Sequence, residues 1–456
     1  MKKGNKNPKT MACSYVEYDR LSNLSDDLIY CILSFLSTKE SYRTCVLSTR
    51  WRSIYTKIPD LHFEFPEESD LVSSKEIKYV YAALLRRTEN LRKLSLYSRD
   101  HDIDSWQPQD IHMWVSKALD LKVKELDLGL ELHEKTLLPC RLFTYESLVV
   151  LKLRGRIQPK LDSSFDVYLP SLKILHLQST MFNCIFDDHI EYSLTNFLSG
   201  CPNLEELFLE ESFTQLINVS LNSLKRLYIC LFMPISHPDL SIYPLQINAP
   251  SLEVLTIMDF SLSPRKYEFT NLSNLDRAAL CICKHSDFNS SYTILKEFSN
   301  VKSLTLGHKT FHFLSMEDKL DNTHLLTFHN LLFLSIEISK NCNWNMLVSF
   351  LHNAPKLKDL SIKKNIKKKS QRKEVGNMGW VGPSVIPTCL STGLITFEFK
   401  GIQNIQTELD FARYIIDHSS KLKKVKIFTP NSTKIVESLL KGSRKSSILV
   451  WDIKSI

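Results

Sequence analysis

One phrase recurs along most of this chain: apolar-x-x-apolar-x-apolar, usually with leucine at the apolar places. It reads LRKLSL from Leu91, VKELDL from Val123, LVVLKL from Leu148, LKILHL from Leu172, LEELFL from Leu204, LKRLYI from Leu224 and LEVLTI from Leu252. It continues as VKSLTL from Val301, LLFLSI from Leu331, LKDLSI from Leu357, LITFEF from Leu394 and LKKVKI from Leu422, with LDRAAL from Leu275 as a weak copy. Most copies begin twenty-odd residues after the one before; the extremes are 20 residues (204 to 224) and 37 (357 to 394).

The end of the phrase alternates apolar, polar, apolar, as a strand with one buried face does. In LEELFL, Leu207 and Leu209 are expected to point into a core, and Leu204 to enter it through the preceding turn. One unit cannot bury its own leucines, so neighbours must stack. Several copies follow a helical phrase and a polar turn, as in LTNFLSGCPNLEELFL, LVSFLHNAPKLKDLSI and FARYIIDHSSKLKKVKI. In the second, Leu347, Phe350 and Leu351 fall at i, i+3 and i+4, one face of a helix, and Ala354-Pro355 ends it.

Helix, turn and strand at this period resemble the leucine-rich-repeat superfamily over about residues 85 to 362. The resemblance implies an α/β solenoid with a curved, strand-lined concave face. The asparagine usual just past the strand is missing, as in LEELFLEES and LKILHLQST, which points to the irregular intracellular kind of repeat. A non-repeating, leucine-rich α/β domain is the alternative.

Bulk properties fit more than one domain or one repeat array with a large buried core. The chain has 456 residues, 43% of them apolar, and a net charge of +8, mild for this length. Glycine numbers only 11, well below the usual 7% or so, and there is no G-x-G-x-x-G, Walker loop, G-x-S-x-G or H-E-x-x-H. No catalytic residue, cofactor or metal is expected. No apolar run is long enough to span a bilayer, and MKKGNKNPKTMACSYVEYDR lacks the apolar segment of a secretory signal. Residues 1–18 read as a flexible tail. The eleven cysteines are scattered, many inside apolar phrases (Cys31, Cys201, Cys230), as expected of buried thiols in a cytoplasmic or nuclear protein.

The stretch LSNLSDDLIYCILSFLSTKESYRTCVLSTRWRSIY, residues 21 to 55, reads differently. Ser25 can cap a helix whose first turn carries Asp26 and Asp27, where the helix dipole favours negative charge. Leu28, Ile29, Ile32, Leu33 and Leu36 make an apolar stripe. Thr38 is a candidate cap for a second helix ending near Leu47, and Ser48 starts a third carrying Trp51 and Ile54. Three helices this short bury little surface, so the unit wants a partner.

This stretch resembles an F-box over residues 19–63, NLSDDLIYCILSFL matching the opening helix and TCVLSTRWRSIY the closing phrase. The family docks onto a Skp-type adaptor, which ties it to a cullin–RING ubiquitin ligase. The matching positions are Leu24, Ile32, Leu33, Leu36, Val46, Ser48, Arg50 and Trp51. The resemblance implies an apolar docking face from Leu24, Ile32, Leu33 and Leu36, joined by Val46. Trp51 is either an anchor on that face or a core residue of the unit. Arg50 and Arg52 are expected to be solvated or bound to backbone. Ser25 stands where the family usually has proline, which implies weakened docking.

From Trp380 the chain resembles the FBD domain, with Pro383, Pro387, Cys389, Leu390, FEFKG from Phe397, Glu408, Leu409, Ala412 and LKK from Leu422 as the matching residues. The order F-box, repeats, FBD resembles the plant F-box/FBD/leucine-rich-repeat family. The last segment, 380–456, is expected to add two strands and close the solenoid. The basic run KKNIKKKSQRK opens a linker loop, 363–379, either solvated or acting as a nuclear-import signal. It has no interleaved aromatics, so nucleic acid is not an expected partner. Cys281, Cys283 and His285 lack a fourth ligand and the paired spacing of a zinc site, and buried thiols are expected instead.

Together these features imply a non-catalytic substrate receptor of an SCF-type ubiquitin ligase. Its partners would be the adaptor and an undefined target protein, with no membrane contact. Exposed positions between strand leucines, Glu206, Phe208, Arg226 and Tyr228, are the candidate target contacts. The alternative is a repeat scaffold whose F-box no longer engages the adaptor.

Overall fold

Every copy of the leucine phrase, the weak one included, becomes a strand of one parallel sheet in the computed structural model of the chain. The structure describes residues 21–65, 74–98, 107–130, 136–155, 157–159, 161, 165–178, 194–211, 217–232, 244–261, 265–283, 294–315, 326–339, 342–364, 380, 382–403, 405–429 and 450–455. The tail 1–18 and most of the basic run lie outside them.

The sheet has 15 strands paired in chain order. It begins with Asp60–Phe65 (β1), Lys93–Ser98 (β2) and Glu125–Leu130 (β3), and ends with Val450–Ser455. Its first and last strands were not expected from the repeat. Register is constant, so Leu207 pairs with Leu175 on one side and Leu227 on the other. The phrase leucines therefore stack in rows. Leu204, Leu207 and Leu209 are all 0% exposed. Each such side chain contributes roughly 1.5–3 kcal/mol of burial, and one continuous core runs from Leu61 to Ile427.

The missing asparagine has a substitute one turn earlier. The residue before the first leucine of a repeat reaches back to the preceding repeat. Asn203 donates to the Pro170 carbonyl at 2.9 Å, Ser223 to Pro202 at 2.8 Å and Asn274 to Pro250 at 2.7 Å. Backbone bonds run alongside, such as Glu205 N to Lys173 O, Lys225 N to Glu205 O and Glu253 N to Lys225 O, each 2.9 Å.

Behind the sheet, the connections are not uniformly helical. Ser74–Leu85 (α4), Pro108–Asp120 (α5), Leu194–Ser199, His308–Ser315, Trp344–His352 and Gln406–His418 are helices. Leu347, Phe350 and Leu351 are each 0% exposed, as their spacing predicts. Between 217 and 270 the return segments instead pair as three short strands, Ile217–Ser220, Leu245–Asn248 and Tyr267–Thr270. The short segments INVS and LQIN place Ile217, Val219, Leu245 and Ile247 in the core at a period of two.

At the N-terminus, Asp26–Ser34 (α1), Thr38–Arg43 (α2) and Thr49–Tyr55 (α3) form a small unit with a separate core of Ile29, Leu33, Cys45, Trp51, Ile54 and Tyr55. The helical unit ends at Tyr55, and residues 60–63 belong to β1, so the expected F-box segment 19–63 runs into the first strand of the solenoid. The repeats likewise begin before residue 85. The expected linker at 363 is also corrected: Lys363 and Lys364 lie in the strand Asp359–Lys364. The last segment supplies three strands, Thr396–Lys400, Lys424–Thr429 and Val450–Ser455, not two.

No helix among the described residues is long and apolar enough to cross a membrane. The cysteines divide: Cys201 and Cys230 are buried, but Cys31 is exposed on α1, against expectation. Cys281 and Cys283 are half-buried, and His285 lies outside the described residues.

Candidate interaction faces

Caps set the geometry of the helical unit. Ser25 accepts a hydrogen bond from Leu28 N at 3.4 Å and Ser48 one from Trp51 N at 3.3 Å, as their sequence positions predict. The second cap differs: Ser37, not Thr38, starts α2, and a capping box joins it to Glu40. Thr38 is released for another task. Its Oγ1 accepts from His62 N of β1 at 2.8 Å, and its carbonyl accepts from the Tyr79 hydroxyl of α4. Tyr42 stacks edge-on against both Tyr55 and Tyr79, with ring centroids 5.7 Å and 4.8 Å apart. These contacts seat the unit on the first repeat.

Arg50 ties α3 to the start of α1. It donates to Asp26 Oδ1 from Nε at 2.8 Å and to the Ser22 carbonyl from a terminal nitrogen at 3.0 Å. The backbone bond agrees with the sequence expectation.

The apolar stripe of α1 splits into two faces about 100° apart. Ile29 and Leu33 point inward at 0% and 1% exposure, with Leu36 half-buried beside them. Leu28, Ile32 and Phe35 point outward at 53%, 38% and 84%. Val46 and Leu47 extend the exposed edge at 85% and 54%. Of the expected docking residues, Ile32 and Val46 lie on this edge and Leu24 and Leu36 are half-buried. Leu33 is corrected to the interior of the unit, and Trp51 takes the second of its two expected places, as a core residue beside it. Phe35, Leu28 and Leu47 were missed. For Leu28 and Phe35 the signal was the i, i+4, i+7 spacing of 28, 32 and 35, which repeats that of the inward residues 29, 33 and 36.

The second face is the solvent side of the sheet. Here the four candidate target residues come together: Glu206 pairs in register with Arg226, and Phe208 with Tyr228, but only Arg226 is exposed as expected, while Glu206, Phe208 and Tyr228 are half-buried against their neighbours in the row. The rings of Phe208 and Tyr228 stack at 4.3 Å with an interplanar angle of 1°. His176, missed in the sequence although it holds the same repeat position, continues the row 5.2 Å from Phe208. Glu206 joins the two rows through His176 Nε2 at 2.8 Å and Arg226 Nε at 2.7 Å. Burial opposes ionisation of Glu206, yet these two bonds hold its carboxyl below the usual range. Burial lowers the His176 pKa, against the opposing bond to Glu206. A further stacked pair, Phe232 and Phe260, sits at the end of neighbouring strands, 43% and 36% exposed. No group of three His, Cys, Asp or Glu side chains among the described residues could hold a metal.

Comparison with known proteins divides the chain the same way. Residues 21–56 match the F-box domain, 111–270 match the LRR repeats of an FBD-associated F-box protein, and 382–427 match FBD. An F-box/FBD/LRR-repeat protein of Arabidopsis thaliana is 31% identical over 441 residues, covering 91% of this chain and 93% of its own. A second from the same plant is 29% identical over 430 residues, covering 92% and 94%. An F-box/LRR-repeat protein of that plant is 31% identical over 379 residues, covering 78% and 94%.

Proposed function

The chain belongs to the plant F-box/FBD/leucine-rich-repeat family, and from that premise we propose that it is the substrate-recruiting subunit of an SCF-type (Skp–cullin–F-box) E3 ubiquitin ligase. The observation that carries this reading is the exposed apolar edge of the helical unit. Its core is complete without Leu28, Ile32, Phe35, Val46 and Leu47, yet these side chains face water. An apolar patch of this kind on a small helical unit fits the groove of a Skp-type adaptor. Ser25 keeps the start of α1 capped, so the missing proline leaves the helix intact.

The chain contributes no covalent step. The sheet face would hold a target protein while cullin–RING machinery brings the charged conjugating enzyme to its lysines, which is catalysis by proximity supplied in trans. Glu206, Phe208, Arg226, Tyr228 and His176 are the proposed contacts, an aromatic row flanked by paired charges of the kind that dominates binding energy. The FBD segment would cap the far end of the solenoid. Action in the cytoplasm or nucleus accords with this role.

Co-expression with a Skp-type adaptor and a cullin tests the proposal. A stoichiometric complex that also captures a conjugating enzyme is the expected result. Absence of any complex with the intact chain would leave the repeat-scaffold reading in its place.

A further inference from the structure

A cavity of about 500 Å³ lies at the joint between the helical unit and the first repeat. Tyr42, Tyr55, Ala82 and Ala83 give it apolar walls, and Arg43, Arg52 and Arg86 also line it. Arg43 and Arg52 belong to the helical unit, whereas Arg86 follows α4 of the solenoid. The cavity therefore spans two separately packed bodies. Its volume falls in the range of about 300–1,000 Å³ usual for small-molecule sites.

The charge is unbalanced. Elsewhere arginines find carboxylates: Arg50 meets Asp26, Arg141 meets Asp120 and Arg226 meets Glu206. Arg43, Arg52 and Arg86 are exposed; Arg43 interacts electrostatically with Glu40 of its own helix, while Arg52 and Arg86 both bear on the Cys45 thiol in the cavity wall. A fourth, Arg87, is 2% exposed and interacts electrostatically with Tyr55, Asp60 and Glu89. None of its three guanidinium nitrogens has a hydrogen-bond partner among the described residues. Burying a guanidinium unpaired is costly. Concentrating positive charge around an apolar cavity raises the local potential for an anion. Guanidinium forks match a phosphate better than they match a lone charge.

We propose that this cavity binds a small organic phosphate with an apolar body, its ring against Tyr42, Tyr55 and the alanines and its phosphate between Arg43, Arg52 and Arg86. Such a ligand bridges the helical unit and the solenoid. It would fix the angle at which the exposed edge of α1 is presented.

Calorimetric titration of the free full-length chain with 1-naphthyl phosphate tests this, and because no adaptor is present the outcome is independent of the ligase reading. The expected result is one site, bound at least about tenfold more tightly than 1-naphthol or inorganic phosphate. The double variant Arg52→Gln, Arg86→Gln should keep the far-ultraviolet circular dichroism of the parent and lose at least about tenfold in affinity, the scale of one charge-assisted hydrogen bond. Should that variant misfold, Arg43→Gln alone is read by the same criterion. Equal binding of 1-naphthol, equal binding of inorganic phosphate, no loss on removing the arginines, or no measurable binding of the probe would each overturn the proposal.

Discussion

Single residues set what this sheet tolerates. Gly129 sits where β3 passes Tyr97; a Cβ there would lie 2.5 Å from the Tyr97 ring. Gly200 ends a helix with its missing Cβ 2.2 Å from the Val167 carbonyl oxygen. A ring can rotate away and a backbone cannot. Gly129→Ala is therefore predicted to cost about 1 kcal/mol and Gly200→Ala about 3 kcal/mol or more, by thermal or denaturant unfolding. Adding Tyr97→Ala should relieve the first and leave the second unchanged. His176 makes a pH prediction. Its folded pKa is lowered from 6.5 by burial, so the unfolded chain takes up a proton that the folded ring refuses. Its contribution to stability is complete above the unfolded pKa and is lost as pH falls through the folded value. Nuclear magnetic resonance of the His176 ring should give a midpoint below 6.5; a midpoint above it would contradict the account.

At the scale of elements, α1 carries two jobs on neighbouring faces. Leu33→Ala should cost about 2–5 kcal/mol of stability through the cavity it leaves. Phe35→Ala, at an 84% exposed position, should leave the melting temperature within about 2 °C, since surface changes stay near 0.5 kcal/mol. The strand Asp359–Lys364 and the helix Gln406–His418 are bolted by Lys364 and Glu408, whose side chains are 2% and 4% exposed. Gln403 completes the set, its side chain accepting from Lys364 and its backbone N donating to Glu408. Lys364→Met alone strands a buried carboxylate and should cost about 3–5 kcal/mol, whereas Lys364→Met with Glu408→Leu should recover most of it. This bolt explains a limit of the sequence. Period and leucine content placed the strands, because burial of one face leaves a direct trace in the residues. KKNIKKKSQRK left the opposite trace: Lys364 looks like solvent-loving charge, and only its distant partner Glu408 makes it a core residue. The two faces of α1 were legible only as one stripe for a related reason. Periodicity reports which side chains are apolar, not which are needed by the unit's own core.

At the scale of the whole molecule, the sheet is one continuous ladder from β1 to the strand Val450–Ser455. Repeats and FBD share it, with a strand before the first leucine phrase and one after the last, which the sequence did not reveal, because single terminal strands have no repeat partner to be recognised against. Removing residues 380–456 would expose the edge of Asp359–Lys364 and unpair Lys364, so the truncated chain is predicted to aggregate on expression, checked by size-exclusion chromatography. The central claim is that one end joins machinery while the sheet face holds cargo, each independently of the other. The most direct measurement is the affinity of a purified Skp-type adaptor for three proteins: the parent, Phe35→Asp with Val46→Asp, and Phe208→Ala with Tyr228→Ala. The account predicts tight binding by the first and third and at least about a hundredfold loss in the second, with all three folded. Equal adaptor binding by the parent and the Phe35, Val46 variant, or a loss confined to the sheet-face variant, would contradict it.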